Sequence, residues 1–272
     1  MENKPTSKVP ILKITGATQK KSLDNITTEG PLEISISLPK VQPKIYNKSI
    51  SITMRTPGKD LELAIGFLYS EGILAHPSEI LDALQQENKI HLILDHNSDK
   101  QIKNLDRHFY TSSSCGVCGK SSIEAIKPIV KSTPSTEVKI EVGILKTLPD
   151  ILKSAQQIFK DTGGIHAAAL FSTDGQLQFL CEDVGRHNAL DKLIGSTFLK
   201  DQDLSQSVLL LSGRISFELV HKAAVAQLPI IAAIGAPSSL AIETAEAFDI
   251  TLIGFLNKEG FNCYNGEQRL VL

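Results

Sequence analysis

From residue 31 onward, apolar and polar positions alternate in short runs. Leu32, Ile34, Ile36 and Leu38 alternate with polar neighbours, and Ile50, Ile52 and Met54 do the same. This predicts two half-buried strands connected through Pro39, Pro43 and Asn47. Pro57-Gly58 then turns the chain into Asp60 to Gly72, where Leu61, Ala64, Ile65 and Leu68 share one helical face and Gly72 supplies the stop. A second helix is predicted over Ser78 to Gln86. Ile90 to Leu94 reads as a strand ahead of the polar Asp95 to Lys103 loop. Strands and helices here mix without regular alternation, which predicts an α+β unit. Residues 1–30 lack sustained periodicity and read as a loose arm.

The second half is more regular. Ser132-Thr-Pro-Ser-Thr136 reads as a connector. It divides the chain into the arm (1–30), an α+β domain (31–136) and a third unit (137–272). Leu148, Ile151, Leu152, Ala155, Ile158 and Phe159 define one amphipathic helix ending at Gly163-Gly164. Ile165 to Phe171 is a buried strand, Asp174-Gly175 a hairpin turn, and Leu177 to Cys181 the return strand. Val208 to Leu211, Ile230 to Ile234 and Ile250 to Phe255 are further apolar strands. Helical segments at about Ser216 to Gln227 and Ser239 to Phe248 separate them, which predicts an α/β unit with a mixed, partly parallel sheet under helices.

Composition narrows the function. The 272 residues hold 28 Lys+Arg against 30 Asp+Glu, so no polyelectrolyte signature of a general nucleic-acid or membrane-surface binder exists. Any anionic ligand must be met by local groups. Four cysteines are too few for a disulfide scaffold, no basic-then-apolar leader opens the chain, and no apolar run spans a bilayer. These features predict a soluble cytoplasmic protein.

Two of the cysteines sit in Thr111-Ser-Ser-Ser-Cys-Gly-Val-Cys-Gly-Lys120. The serines and glycines suit a mobile thiol, and Ser121-Ser-Ile-Glu124 reads as a capping box opening a helix. That helix start and Lys120 both favour a thiolate at Cys115 or Cys118. A zinc site would need about four ligands, and no second CxxC or finger-spaced histidine pair is present. A thioredoxin-like pair fits the Ser-rich approach poorly, which leaves a thiolate that accepts sulfur or another group and passes it on. Cys181 and Cys263 read as small core residues. His166 reads as a buried strand imidazole, and the remaining scattered histidines receive no role.

The loops leaving the predicted parallel strands are suited to ligands. Ser212-Gly213-Arg214 follows one strand and Gly235-Ala-Pro-Ser238 the next, each leading into a helix whose backbone N–H groups could receive a phosphate beside Arg214. Ordinary capping by Ser216 and Ser239 is the alternative. Glu182 to Lys192 gathers Arg186, His187, Asn188 and Lys192 around one turn, which reads as an anion- and base-recognition loop; capping by Asn188 with a solvated Asp191-Lys192 edge is its alternative.

These motifs together resemble the formate dehydrogenase accessory sulfurtransferase family (FdhD), from about Ser49 to the C-terminus. They are Cys115-Gly-Val-Cys-Gly119, Arg55-Thr-Pro-Gly58 with Ala64-Ile-Gly-Phe67 and Glu71-Gly72, Glu182-Asp-Val-Gly-Arg-His-Asn-Ala189 with Asp191-Lys192, and Ser212-Gly-Arg214 with Gly235-Ala-Pro-Ser238. The resemblance implies a cytoplasmic sulfur carrier that takes persulfide sulfur from a cysteine desulfurase on Cys115. The recipient it implies is the molybdenum (or tungsten) bis-guanine-dinucleotide cofactor of formate dehydrogenase. It leaves the role of Cys118 open and puts the cofactor-binding stretch at Gly254, Phe255, Leu256, Asn257, Lys258 and Glu259. Arg186, His187, Lys192, Arg214 and Ser238 are added to that site by the residue reading alone. A homodimer is implied as well, and it suits a cofactor with two guanine ends. The third unit is also similar to the cytidine deaminase-like fold, a three-layer α/β architecture. Zinc deaminases carry H-x-E and P-C-x-x-C. The counterparts read here, His166-Ala-Ala168 and Pro237-Ser-Ser-Leu-Ala241, lack the Glu and both cysteines, so neither zinc nor deamination is expected. A cofactor-binding chaperone with redox-sensing thiols is the rival function, and a disulfide oxidoreductase the third.

Overall fold

The computed structural model describes residues 4–38, 46–95, 130 and 137–272. The CxxC segment, its following helix and the connector at 132–136 lie outside the described residues.

The first element corrects the loose-arm reading. β1 (Thr6–Thr15) and β2 (Thr18–Thr27) form an antiparallel hairpin turning at Gly16, which has φ 58°. Its alternation is hidden in the sequence because Leu12, Ile14 and Leu23 point to solvent and the flanking lysines are interspersed among them. β3 (Gly30–Leu38) and β4 (Tyr46–Arg55) follow, with α1 (Asp60–Ser70), β5 (Ile80–Gln86) and β6 (Lys89–Leu94). They make a four-stranded sheet in the order β4-β3-β6-β5. Leu32, Ile34, Ile36 and Leu38 are fully buried and pack with Leu63, Ala64 and Leu68 of α1.

Two expectations change in this sheet. The helix predicted over Ser78 to Gln86 is a 3₁₀ turn at Pro77–Glu79 followed by β5, because pairing with β6 across the Glu87-Asn88 turn overrides local propensity. In β4 the register shifts opposite Ile34/Ser35 and passes over Ile50. The bulge reverses the facing of later residues, so Ile50 is buried while Ile52 and Met54 are 68% and 49% exposed.

Beyond residue 137 come β7 (Ile140–Glu141), α2 (Val142–Leu145), α3 (Leu148–Ala155) and α4 (Gln157–Thr162). The single amphipathic helix predicted here is therefore two. Gln156 is extended between them, and the Glu182 carboxylate accepts from the N–H groups of Gln157, Ile158 and Phe159 at 3.0, 3.0 and 2.9 Å, fixing a new helix start. β8 (His166–Ser172), β9 (Leu177–Asp183), α5 (Arg186–Phe198), β10 (Ser207–Leu211), α6 (Phe217–Val225), β11 (Ile230–Ala233), α7 (Ser239–Ala247), β12 (Thr251–Gly254) and β13 (Asn262–Asn265) complete a mixed sheet. Its order is β13-β12-β11-β10-β8-β9, and β10, β11 and β12 are parallel. β14 (Leu270–Val271) pairs with β7.

Both faces of this sheet are covered, as expected for parallel strands. Leu209, Leu211, Ile231 and Ala233 pack under α5, α6 and α7, whereas Val208, Leu210, Ile230 and Ala232 pack with Leu145, Leu148 and Leu152. The α/β class with helices on two sides thus follows directly from uninterrupted apolar strands. The two halves join where α1 crosses α5. A Cβ on Gly66 would sit 1.9 Å from the Asp191 carbonyl oxygen, and one on Gly195 1.8 Å from that of Glu62. Only glycine permits this approach. Among the described residues no helix is long and apolar enough to cross a membrane.

Candidate functional site

The carboxyl ends of β10, β11 and β12 present three loops side by side. The Ser212 hydroxyl accepts from Ala167 N–H at 2.8 Å, tying the first loop to the start of β8. Gly235 N–H donates to the Gly213 carbonyl at 3.2 Å, and Phe255 N–H to the Gly235 carbonyl at 3.1 Å. A Cβ at Gly235 would meet the Gly213 oxygen at 2.7 Å, and one at Gly254 would meet Pro237 Cδ at 2.8 Å. The edge is therefore closely packed backbone, as the strand-loop-helix pattern predicts.

The Arg186 turn lies against the same edge. His187 Nε2 is 3.1 Å from Ser216 Oγ and 3.9 Å from Glu218 Oε2, joining the start of α5 to that of α6. Burial, reinforced by the Arg186 and Lys222 charges, pushes the His187 pKa down to about 4. A Cβ on Gly213 would be 3.2 Å from His166 Nδ1, so this imidazole also borders the edge. Burial and then Arg186 lower its pKa. Arg186 is half-buried, and its Nε is a buried donor without a hydrogen-bond partner. Arg214 and Ser238 are exposed. An exposed guanidinium, an orphaned guanidinium nitrogen and two neutral imidazoles can hold an anion at this edge by charge and by hydrogen bonding.

Several sequence expectations need correction. Lys192 is no free cation: it is buried, 2.7 Å from Asp183 Oδ2, and donates to the Thr56 carbonyl at 2.7 Å. It braces the wall behind the turn. His187 is neutral near pH 7 and contributes no positive charge. Ser238 caps α7, its Oγ accepting from Ala241 N–H at 3.3 Å, in place of the expected Ser239; Ser216 makes no side-chain cap and serves His187. Asn188 is likewise committed, donating to the Met54 carbonyl at 2.7 Å.

The stretch from Gly254 to Glu259 divides in the same way. Leu256 is buried in the core, Gly254 lies under Pro237, and Phe255, Lys258 and Glu259 are exposed. Asn257 organises the turn, its Oδ1 accepting from the N–H groups of Glu259 and Gly260 at 2.9 and 3.1 Å. Cys181 is buried as expected, with Lys59 Nζ donating to Sγ at 3.2 Å and burial raising the thiol pKa. Cys263, read as a core residue, is exposed on β13, the edge strand of its sheet. Cys115 and Cys118 lie outside the described residues.

Sequence reasoning quoted Asp183 and Thr56 within its motifs but gave neither a role of its own. Asp183 Oδ1 accepts from Gly185 N–H at 2.8 Å and Oδ2 from Thr56 N–H at 3.1 Å, while Thr56 Oγ1 accepts from Val184 N–H at 3.1 Å. Arg55, fully buried, holds Asp60 through bonds of 3.0 and 2.8 Å. The Arg55 to Gly58 loop and the Glu182 to Ala189 turn are thus two sides of one junction. The sequence signalled the two stretches as motifs dense in polar residues, but not that they face each other.

Fold and site together define a protein with an α+β half locked onto an α/β sheet whose carboxyl edge carries arginines. A model described as the FdhD/NarQ family matches residues 39–271, and this chain belongs to that family. "Sulfur carrier protein FdhD" of Streptomyces avermitilis is 40% identical, covering 98% of this chain and 96% of the relative. The protein of the same name from Picrophilus torridus is 43% identical over 95% of this chain and 96% of its own length. A crystal structure of a candidate formate dehydrogenase accessory protein from Desulfotalea psychrophila shares the fold. Its TM-score is 0.75 at 23% identity, over 98% of this chain and 99% of that one.

Proposed function

We propose that this protein is a sulfur carrier in formate dehydrogenase maturation. Cys115 thiolate attacks the terminal sulfur of a cysteine desulfurase persulfide; the donor S–S bond breaks, a new one forms on Cys115, and the donor cysteine leaves as thiolate. The Cys115 S–S bond then breaks, Cys115 leaves as thiolate, and the sulfane atom passes to the substrate, a molybdenum (or tungsten) bis-guanine-dinucleotide cofactor bound at the carboxyl edge, whose metal in its reduced state would supply the two electrons that make the atom sulfide. Arg186 and Arg214 receive its phosphates, with hydrogen bonds from His187 and the Ser238 loop. The observation that carries this reading is the buried, unpartnered Arg186 Nε beside Gly213 and His166, since a desolvated donor calls for an acceptor. The names of the relatives support the sulfur step.

The same reading places the protein in the cytoplasm, where thiols stay reduced, as a homodimer offering two sites to a cofactor with two guanine ends. The strand order β9-β8-β10-β11-β12 with intervening helices supports a cytidine deaminase-like ancestry for the α/β half. His166-Ala-Ala168 and Pro237-Ser-Ser-Leu-Ala241 lack the deaminase Glu and cysteines, so deamination forms no part of the proposal.

Mass spectrometry after incubation with a cysteine desulfurase and cysteine tests the carrier step. One added sulfur on the Cys115 peptide, absent in Cys115→Ala, is expected. No mass gain, together with a Cys115→Ala variant that still supports formate dehydrogenase activity in cells lacking the native protein, would replace this reading with that of a cofactor-binding chaperone with redox-sensing thiols.

A further inference from the structure

The β1–β2 ribbon stands apart from the packed cores. Thr28 N–H donates to the Pro5 carbonyl at 2.9 Å across its base. Thr27 Oγ1 donates to the Gly164 carbonyl at 3.1 Å and lies 2.9 Å from Thr162 Oγ1, at the end of α4. No residue of the ribbon belongs to a core cluster, and residues 6–27 lie outside the stretch 39–271 matched by the family model.

Residues directly opposite in an antiparallel pair share a face. The register Lys8↔Asn25, Pro10↔Leu23, Leu12↔Lys21 and Ile14↔Gln19 therefore gathers Pro10, Leu12, Ile14 and Leu23 on one face, with Lys8 and Lys21 among them. That face is open: Leu12, Ile14 and Leu23 are 52%, 64% and 67% exposed. The opposite face carries half-buried Val9 and Ile11. A two-stranded ribbon by itself is marginally stable at best, and aliphatic side chains clustered on one exposed face mark a contact surface.

Charge and position say what covers it. Four lysines and one acid, Asp24, give residues 6–27 a net charge of +3, whereas the whole chain is −2, so the remainder carries −5. Pairing this face with the same face of a second copy would oppose like charges. The ribbon holds no aromatic residue, the usual anchor at a lipid headgroup boundary. An acidic protein surface around an apolar centre satisfies both the lysines and the aliphatic groups. The root of the ribbon adds the position. Gly164, which accepts from Thr27, is two residues from His166, the start of β8 and a border of the ligand edge.

We infer that the face formed by Pro10, Leu12, Ile14 and Leu23 is a docking surface for the enzyme that receives the sulfurated cofactor, through an acidic surface of that enzyme with an apolar centre. This rests on the carrier reading above and adds the place where the client is held beside the ligand edge.

The test measures binding of the full-length protein to cofactor-free formate dehydrogenase by biolayer interferometry, and loading of Cys115 by a cysteine desulfurase in parallel. Leu12→Thr/Leu23→Thr keeps strand propensity while removing apolar surface, and should weaken client binding at least about tenfold. Lys8→Glu/Lys21→Glu should slow association and abolish its decline with salt. Leu81→Thr, at a residue 53% exposed on β5, should leave the affinity unchanged. Cys115 loading should be the same in all of them. Wild-type client affinity in both ribbon variants, a fall matched by Leu81→Thr, or a wild type that loads Cys115 without binding the client overturns the docking surface and leaves the carrier reading standing. So does a ribbon variant whose only losses are self-association or binding to vesicles of phosphatidylglycerol and phosphatidylcholine in equal parts, which would assign the face to a second copy or to a membrane. A wild type that neither loads Cys115 nor binds the client overturns the carrier reading, and the docking surface with it.

Discussion

Lys192 Nζ lies 2.7 Å from Asp183 Oδ2, and both side chains are almost wholly removed from solvent. The same ammonium donates to the Thr56 carbonyl, and the same carboxylate oxygen accepts from Thr56 N–H, so one buried pair fastens the first half of the chain to the second. Removing one partner strands the other charge in a low-dielectric interior. Asp183→Ala should destabilise the protein by about 3–5 kcal/mol in urea unfolding. The double variant Asp183→Ala/Lys192→Met should recover part of the loss, and failure to do so would mean that the Thr56 and Gly185 bonds, not the ion pair, dominate.

The α1–α5 crossing gives a prediction of a different kind. With a Cβ at Gly195 only 1.8 Å from a backbone oxygen, Gly195→Ala cannot be relieved by a side-chain rotation. The helices must separate, at a cost of at least about 1–3 kcal/mol as for other overpacked sites. Thermal unfolding would register it. Gly143→Ala, where a Cβ meets nothing within 4 Å, is the matching control and should leave stability nearly unchanged.

His187 makes folding pH-dependent. Its folded pKa of about 4 lies below the ordinary 6.5, so the unfolded chain binds a proton between these values when the folded protein does not. Stability from this group is therefore present above pH 6.5 and lost as pH falls toward 4. Asp191, pushed by burial up to about 6, acts oppositely in an overlapping range, so wild-type stability alone would mask the effect. Comparing wild type with His187→Gln cancels the Asp191 contribution. The wild type's advantage should shrink by about 2 kcal/mol between pH 7 and pH 5. An advantage that is constant with pH would show that His187 is not held neutral.

Glu182 caps α4 with three backbone N–H groups at 3.0 Å or less. Glu182→Ala should cost about 0.5–2 kcal/mol, as for other lost caps, and should accelerate amide exchange at Gln157, Ile158 and Phe159 while leaving α5 protected. Hydrogen exchange read by mass spectrometry separates the two helices.

What the sequence disclosed follows from how local each signal was. Uninterrupted apolar strands at Val208–Leu211 and Ile230–Ala233, each followed by a glycine loop and a helix, could form little other than parallel β/α units. The adjacent loops at the carboxyl edge were visible with them. β5 was hidden because Leu81, Ala83 and Leu84 suit a helix as well as a strand, and the choice is made by β6. The exposed Ile52 and Met54 depend on a bulge that no pattern of residues announces. In the Glu182 to Lys192 turn, the concentration of polar groups was legible but their allocation was not. Glu182, Asp183, Asn188 and Lys192 are consumed by partners on α4 and the Thr53 to Thr56 stretch, far away in sequence, leaving Arg186 as the group with an unmet bond.

The Thr56–Asp183 junction also sets an order of events at the ribosome. Arg55 and Asp60 can pair as soon as the first sheet forms, but Thr56 must wait for residues 183 and 192 to be synthesised before its backbone groups are satisfied. The clasp can close only once residue 192 of the 272 has been made, so any shorter product lacks the brace behind the Arg186 turn.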